Sequence, residues 1–204
     1  MLRIGLTGGI ACGKTTVARM LVQRGAHFLQ ADTLAHELYA PGQPTYDEVV
    51  SHFGREILQA DGTINRSRLA NIVFPDRIGE LNAIVHPAVI EAQKRWMAKV
   101  ERDHLNGVAV VEAALLIEAG ADKDFDKVIV VICDFDRKVE RYAQRSGLSL
   151  AAARVEVERR SAAQLPDGKK AQHADFVINN SGDVEATERV VAKIWQELQV
   201  SGPQ

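Results

Sequence analysis

The stretch Gly8-Gly9-Ile10-Ala11-Cys12-Gly13-Lys14-Thr15-Thr16 follows an apolar run at residues 2–7. The spacing Gly-x4-Gly-Lys-Thr allows consecutive backbone N–H groups to turn inward around phosphate oxygens, at the positive end of the next helix. Lys14 would reach the outer phosphates, and the Thr15 hydroxyl would hold a Mg²⁺ ion that bridges them. The stretch therefore predicts a phosphate-binding loop, which here means residues 8–16.

The sequence on both sides of this loop supports the same interpretation. The preceding run is apolar like a buried strand, and Val17, Met20 and Leu21 recur at helical spacing after it. A strand before and a helix after are the context that such a motif requires. The alternative that stays open is a glycine turn before an ordinary helix.

The composition excludes several classes of protein. The 204 residues fit one domain of ordinary size or one domain with an inserted lobe, and a net charge of −2 provides no field for nucleic acid or an anionic membrane. Two cysteines are too few for a disulfide framework, and Met1 leads into a strand rather than a signal sequence. No apolar run is long enough to span a bilayer. We expect a soluble, cytoplasmic protein that needs no oligomeric partner.

Strand-like runs alternate with helical segments along the chain. Apolar runs at 108–111, 128–133 and 176–178 suit strands that are buried on both faces, and residues 27–30 form a further extended run. This alternation predicts an α/β fold: a doubly wound parallel sheet of about five strands with ligands at the carboxyl ends of the strands.

Two helical regions interrupt the strands. Apolar residues recur at helical spacing between 66 and 100, with breaks at Phe74-Pro75 and His86-Pro87, so residues 40–105 are predicted to form an inserted helical lobe. Residues 136–172 are polar and predict a helical lid. Asp183 is expected to cap a final helix, and residues 201–204 are expected to form a frayed tail. The basic residues of the lid region are Arg137, Arg141, Arg145, Arg154, Arg159, Arg160, Lys169 and Lys170.

Charged residues outside the loop each have two interpretations. Asp32 ends the second extended run, where a carboxylate would accept a hydroxyl proton or cap the next helix. Glu112 ends the run at 108–111, where it would orient water on Mg²⁺ or be a solvated strand end. Arg141 and Arg145 share one helical face, which favours an anionic partner, with a solvated face as the alternative.

The remaining candidates also have both structural and functional interpretations. His86 would be a packed or capping histidine or a substrate contact, and Glu118 alone would be a surface charge. Leu115 and Leu116 would line an apolar site or a core loop. Cys12 needs only to be small, but if its thiol lay against bound phosphate, alkylation would inhibit the protein and Mg-ATP would protect it.

Taken together, these motifs resemble those of the dephospho-coenzyme A kinase family over nearly the whole chain. The resemblance implies transfer of the ATP γ-phosphoryl group to the ribose 3′-hydroxyl of dephospho-coenzyme A, the last step of coenzyme A biosynthesis, with Mg²⁺, on a P-loop kinase fold. The residues that carry it are Ile4 to Ile10 with Gly13-Lys14-Thr15, Ala31-Asp32, Pro41-Gly42, Phe53-Gly54, Asp61-Gly62, Val73-Phe74, His86-Pro87, Leu115 to Glu118, Arg141 with Arg145, Gln164-Leu165-Pro166, Ala174-Asp175 and Asn180-Ser181-Gly182.

The resemblance also implies roles for individual residues. Asp32 would be the base, and Arg141 would stabilise the transferring charge from the lid side. The acceptor would be received by the lobe with His86 and by Leu115, Leu116 and Glu118. The metal ion would be bound by Thr15 and Glu112. ATP would be bound by Gly8, Gly9, Ala11, Cys12, Gly13, Lys14, Thr15, Thr16, Arg145, Asn180 and Gly182, with the last two near adenine.

The chain departs from the family pattern at a few positions. Relatives usually carry Gly-Ser at Ala11-Cys12, an acid at Gln30, Asp at Glu112 and Pro at Ala114. None of these departures removes Lys14, Thr15 or Asp32, so we expect activity to survive. The alternatives are a kinase for another small hydroxyl acceptor, such as a nucleoside monophosphate, and a nucleotide-dependent switch. A guanine-binding Asn-Lys-x-Asp motif, expected in a GTPase switch, is absent from the sequence.

Overall fold

A five-stranded sheet forms the centre of the larger of two structural units. In the computed structural model, which describes residues 1–200, the first unit is Met1–Leu29 with the chain from Lys99 onward, and the second is Gln30–Ala98. The tail predicted at 201–204 lies outside the described residues. The strands are β1 (Leu2–Gly8), β2 (His27–Gln30), β3 (Val108–Glu112), β4 (Lys127–Ile132) and β5 (Phe176–Asn179).

The sheet has the order β2-β3-β1-β4-β5. Strand β1 pairs in parallel with β3 and β4, and β4 pairs in parallel with β5. Every residue of β3 is buried, as its continuous apolar sequence predicts for a strand covered on both faces. The predicted doubly wound parallel sheet is therefore confirmed, and β1 brings the phosphate-binding loop out at its centre.

The chain forms nine helices within the described residues. They are α1 (Lys14–Val22), α2 (Ala31–Leu38), α3 (Pro44–Phe53), α4 (Arg66–Val73), α5 (Ile78–Asp103), α6 (Phe135–Ser146), α7 (Leu150–Ala162), α8 (Asp167–Ala171) and α9 (Val184–Val200). Short 3₁₀ turns lie at Arg55–Ile57 and Ala121–Asp124. As predicted, Asp183 caps the last helix, since its Oδ1 accepts the N–H of Ala186. No helix within residues 1–200 is long and apolar enough to cross a membrane.

The core of the first unit joins the sheet to its flanking helices. Ile4 and Leu6 of β1 are fully buried and belong to one cluster with Val17 of α1 and Val191 of α9. A second cluster joins Ile10 of the phosphate-binding loop to α6 and α7, and its members are Ile10, Val139, Tyr142, Ala143, Ala153 and Val157. Helix α6 therefore packs against the loop in this structure, and charged residues on the loop-facing side of α6 lie beside the loop.

The second unit is helical and has its own apolar core. Val49, Phe53, Leu69 and Val73 come from α3 and α4, and Val85 comes from α5. Helix α3 begins with Pro44 in its first turn and ends at Gly54, and Asn65 caps α4 by accepting the N–H of Arg68.

One predicted helix break differs from the structure. Pro87 does not interrupt α5, which runs through it. Proline costs one main-chain hydrogen bond, and both Pro87 and Ala83, whose carbonyl loses its partner, are exposed, so water can replace the donor.

Candidate phosphate-binding site

The phosphate-binding loop wraps around the N-terminus of α1. Its last glycine, Gly13, caps the helix with φ 94° and offers no side chain to the first N–H groups of α1, which stay available to a ligand. A Cβ atom on Gly13 would collide with Nδ2 of Asn180. Both the backbone angle and the close approach therefore require glycine at this position.

Ala11 adopts a left-handed backbone conformation in the middle of the loop. Its φ is 53°, and it is the only non-glycine residue with positive φ among residues 1–200. This conformation costs an L-residue about 1–2 kcal/mol. The alanine at this position therefore carries a local strain.

Lys14 reaches across the loop from the first turn of α1. Its Nζ donates to the carbonyl oxygens of Gly8 at 3.0 Å and Gly9 at 3.1 Å. Thr15, the next residue, is exposed. The ammonium and the hydroxyl thus lie at the loop, as the motif predicts, with the hydroxyl open to a ligand.

Of the arginines predicted to share one face of α6, Arg141 contacts the phosphate-binding loop. Its Nη1 donates to the carbonyl oxygen of Cys12 at 3.3 Å and lies 3.4 Å from the Cys133 sulfur. Arg145 is exposed, with its guanidinium 5.3 Å from the Tyr142 ring centre. Arg137 forms an exposed ion pair with Glu140. Of these three arginines, Arg141 is therefore the one that the fold already holds beside the loop.

Asn180 holds the loop from the end of β5. Its side chain is buried: Nδ2 donates to the Cys12 carbonyl at 2.8 Å, and Oδ1 accepts the Thr187 hydroxyl at 2.8 Å. The prediction that Asn180 contacts adenine needs correction for its side chain, because both polar atoms are already used within the protein. Gly182, two residues later, is exposed and has open space around its Cα.

The thiol of Cys12 does not face the phosphate side of the loop. The side chain is fully buried in the core of the first unit, and burial raises the pKa of the thiol above its usual value. The expectation of a thiol lying against bound phosphate is therefore wrong. Only the backbone of Cys12 remains as a candidate ligand of ATP.

Glu112 lies at the end of β3, opposite Leu6 of β1, and is 4% exposed. The alternative of a solvated strand end is therefore wrong. No cluster of three or more His, Cys, Asp or Glu residues within residues 1–200 could hold a metal by itself. A Mg²⁺ ion fits this arrangement nonetheless, because it commonly takes one or two protein oxygens and completes its shell with phosphate and water.

The two leucines after β3 that were predicted to contact substrate differ in their exposure. Leu115 is half exposed, whereas Leu116 is 2% exposed, and its Cδ1 would meet a Cβ on Gly5 at 3.0 Å. Leu116 therefore belongs to the core, and its predicted side-chain contact with substrate is wrong. A leucine that follows a strand packs into the sheet core when its side chain is directed towards that core, because burial of its apolar surface is favourable.

Glu118 is an internal anchor rather than a surface charge. One of its oxygens, Oε1, accepts hydrogen bonds from Lys170 Nζ and from the backbone N–H of Leu165, both at 2.9 Å. Burial, the largest single influence, raises the pKa of Glu118, but these donors together outweigh it, so the pKa lies below its usual value. The carboxylate therefore joins the segment after β3 to the segment before α8.

Two predicted site residues belong to the second unit. Asp32 is exposed in the first turn of α2, whose N-cap is Gln30, so the interpretation of Asp32 as the N-cap is wrong. Its carboxylate stays open to another partner. His86 is exposed within α5, so it is neither packed nor capping.

Sequence reasoning missed two buried lysines. Lys170 is fully buried, and its Nζ also donates to the Ala114 carbonyl at 3.0 Å. Lys138 is 8% exposed and pairs with Asp167 at 2.6 Å. Helical spacing could have indicated where Lys138 lies, because it precedes Arg141 by three residues and is therefore on the same side of α6.

Comparison with known proteins identifies the family. The sequence profile described as dephospho-CoA kinase matches residues 2–186. The chain is 42% identical over 200 residues to the dephospho-CoA kinase of Aquifex aeolicus, covering 97% of this chain and 98% of the relative. It is 45% identical over 199 residues to that of Geobacter metallireducens, covering 97% and 96%.

A solved structure agrees with the fold. The crystal structure of TT1252 from Thermus thermophilus aligns with a TM-score of 0.81 at 32% identity, over 97% of each chain. The match therefore extends over the sheet and its helices and is not confined to the phosphate-binding loop. On the profile, the relatives and this structure together, the chain belongs to the dephospho-CoA kinase family.

Proposed function

We propose that the chain transfers the γ-phosphoryl group of ATP to the ribose 3′-hydroxyl of dephospho-CoA, giving coenzyme A and ADP. A bond forms between the 3′-oxygen and the γ-phosphorus, the bond from that phosphorus to the β,γ-bridging oxygen breaks, and the hydroxyl proton leaves. The observation that carries the proposal is the loop with Lys14 and Arg141 beside it, in a chain of this family.

The loop residues would bind and orient the phosphates. Backbone N–H groups of residues 8–16 would surround the oxygens, and Lys14 would exchange its bonds to Gly8 and Gly9 for bonds to the outer phosphates. Arg141 would meet the charge that spreads over the transferring group. Thr15 and Glu112 would hold Mg²⁺ directly or through water. That ion, when bound, neutralises charge between the β- and γ-phosphates.

The acceptor would be handled by the residues that the resemblance implies for it. Asp32, exposed just after strand β2, would accept or orient the proton of the 3′-hydroxyl. His86 and Leu115 would contact the acceptor through exposed side chains. We assign Glu118 a positioning role, since its carboxylate is already bound to Lys170 and Leu165.

Helices α6–α8 would act as the lid and exclude water from the transferring group. Arg145, exposed on α6, would meet ATP on closure, and Gly182 with the backbone of Asn180 would lie near adenine. We place the reaction in the cytoplasm, whose reducing environment suits a chain with two cysteines and no disulfide framework.

The test is mass spectrometry of reactions that contain Mg-ATP and either dephospho-CoA or a mixture of nucleoside monophosphates. We expect coenzyme A and ADP from the wild type with dephospho-CoA. Asp32→Asn should lower kcat by about 10²- to 10⁴-fold with a small change in the KM for ATP. If only a nucleoside monophosphate were phosphorylated, the proposed acceptor would be wrong. If Asp32→Asn kept the wild-type kcat, the proposed role of Asp32 in the reaction would be wrong.

A further inference from the structure

A second lysine, Lys138, lies at the phosphate-binding loop, close to Gly9. A Cβ atom built on Gly9 would lie 3.1 Å from Lys138 Nζ and 2.9 Å from Asp167 Oδ1. Arg141, three residues further along α6, contacts the other end of the loop at Cys12. Helix α6 thus presents one cation to each end of the loop, and the loop-to-helix packing through Ile10 and Val139 holds it there.

The Lys138 ammonium is held by a single carboxylate. Its side chain is 10% exposed, and Nζ donates to Asp167 Oδ2 at 2.6 Å, whereas the Asp167 side chain is 25% exposed. A buried cation must keep an anionic partner, because the cost of removing its charge from water is several kcal/mol. A phosphate oxygen at Gly9 is the one other anion that the proposed function brings to this ammonium, and Asp167 can turn to solvent when it is displaced.

A cavity that contains one unsatisfied polar atom lies beside this ion pair. It has a volume of about 410 Å³ and is lined by Gly9, Phe135, Lys138, Gln164 and Asp167, among others, all in the first unit. The Oε1 atom of Gln164 is buried and has no hydrogen-bond partner among residues 1–200. A buried acceptor without a donor is unfavourable, so a water or a ligand hydroxyl in this cavity would satisfy it.

We propose that Lys138 is a second phosphate-binding lysine, which Asp167 holds until ATP arrives and which then binds the γ-phosphate. The choice of the γ-phosphate follows from Lys14, whose Nζ donates to Gly8 and Gly9. Since the lysine of such a loop binds the β- and γ-phosphates, the Gly9 end of the loop is the γ end. The sequence alone assigned Lys138 no role. The proposal rests on the proposed use of ATP but not on the identity of the acceptor.

The test is calorimetric titration with two nucleotides, a non-hydrolysable ATP analogue and ADP, each with Mg²⁺. Lys138→Met should weaken binding of the analogue by about 10- to 100-fold, as expected for one charge-assisted hydrogen bond, and change ADP binding by less than about threefold. Arg137→Met, which removes the same charge from the neighbouring exposed residue, should bind both nucleotides like the wild type. Equal losses for both nucleotides, or no loss for the analogue, would overturn the proposal.

The double variant Lys138→Met/Asp167→Asn separates phosphate binding from simple charge balance. If Lys138 only neutralised Asp167, removing both charges would restore analogue binding to the wild-type level and so overturn the proposal. We expect the double variant to unfold at the wild-type temperature but still to bind the analogue weakly and ADP normally. This variant leaves no unpaired buried charge, so it decides the matter even if Lys138→Met alone does not fold. A wild type that binds neither nucleotide would instead refute the proposed use of ATP.

Discussion

Replacing Lys170 with methionine should destabilise the protein even though the residue lies outside the predicted catalytic groups. Lys170 is fully buried, and its Nζ donates to Glu118 at 2.9 Å and to the Ala114 carbonyl at 3.0 Å. Methionine fills most of the same volume but removes the charge. The change therefore isolates the electrostatic and hydrogen-bonding contribution from the packing contribution.

The expected loss follows from what remains around Glu118. Removing one partner of a buried ion pair costs about 3–5 kcal/mol. Glu118 is 19% exposed and keeps the Leu165 N–H as a donor, which reduces the loss to about 2–3 kcal/mol. For a chain of this length, that loss lowers the melting temperature by about 5–10 °C.

Urea unfolding followed by circular dichroism measures this loss, with Lys169→Met as the matched control. Lys169 is the exposed neighbour on α8, so its replacement should change the free energy of unfolding by less than about 0.5 kcal/mol. Glu118→Gln should cost more than Lys170→Met, because it leaves the fully buried ammonium without a carboxylate. The free energy of unfolding of the double variant Lys170→Met/Glu118→Gln should lie within about 1 kcal/mol of the wild-type value. Strictly additive losses in the double variant would refute the reasoning.

Three further predictions concern the loop, the thiol and acid stability. Gly13→Ala should abolish measurable binding of the ATP analogue in calorimetry, because a Cβ would collide with Asn180 Nδ2 at a φ of 94°; wild-type affinity would contradict this. Cys12 should stay unmodified by iodoacetamide in the native protein at pH 7 and react only after urea unfolding, as mass spectrometry would show, since the thiol is buried and its pKa is raised. The free energy of unfolding should fall as the pH drops below about 4.5. Hydrogen bonding from Arg3 lowers the pKa of Asp126, and the pKa of Glu118 is lowered as well, so each carboxylate stabilises the fold above its unfolded pKa and loses this contribution as it is protonated. Urea titrations at pH 7 and pH 3.5 would measure the difference, and equal values would contradict it.

The sheet and the loop could be predicted because their signals are local. Strand β3 is a continuous apolar run, and the phosphate-binding loop is a fixed spacing of small residues followed by Lys14 and Thr15. Helical spacing between residues 66 and 100 also predicted the segments that form α4 and α5. The break expected at Pro87 was wrong because a long helix can lose one hydrogen bond on its exposed side and continue.

The side-chain partners could not be predicted because they depend on residues far apart in the chain. Asn180 meets Cys12 across 168 positions, and Glu118 meets Leu165 across 47. Such contacts exist only once the strand order is fixed. The sequence therefore could not indicate which groups within the protein the side chains of Asn180 and Glu118 bind.

Charge alone does not predict which lysines of the basic segment are buried. Lys169 and Lys170 are neighbours in a polar helical region, yet one is exposed and the other is fully buried. Burial of a lysine is possible only where an anion or several acceptors meet its ammonium, and that condition is set by tertiary packing. Lys138 and Lys170 each meet one carboxylate, but those carboxylates differ in their other bonds. Glu118 also accepts the Leu165 N–H, which fixes its place, whereas Lys138 is the one partner seen for the Asp167 carboxylate among the described residues. The Lys170 pair is therefore suited to holding loops together, and the Lys138 pair is suited to opening when a phosphate oxygen competes for the ammonium.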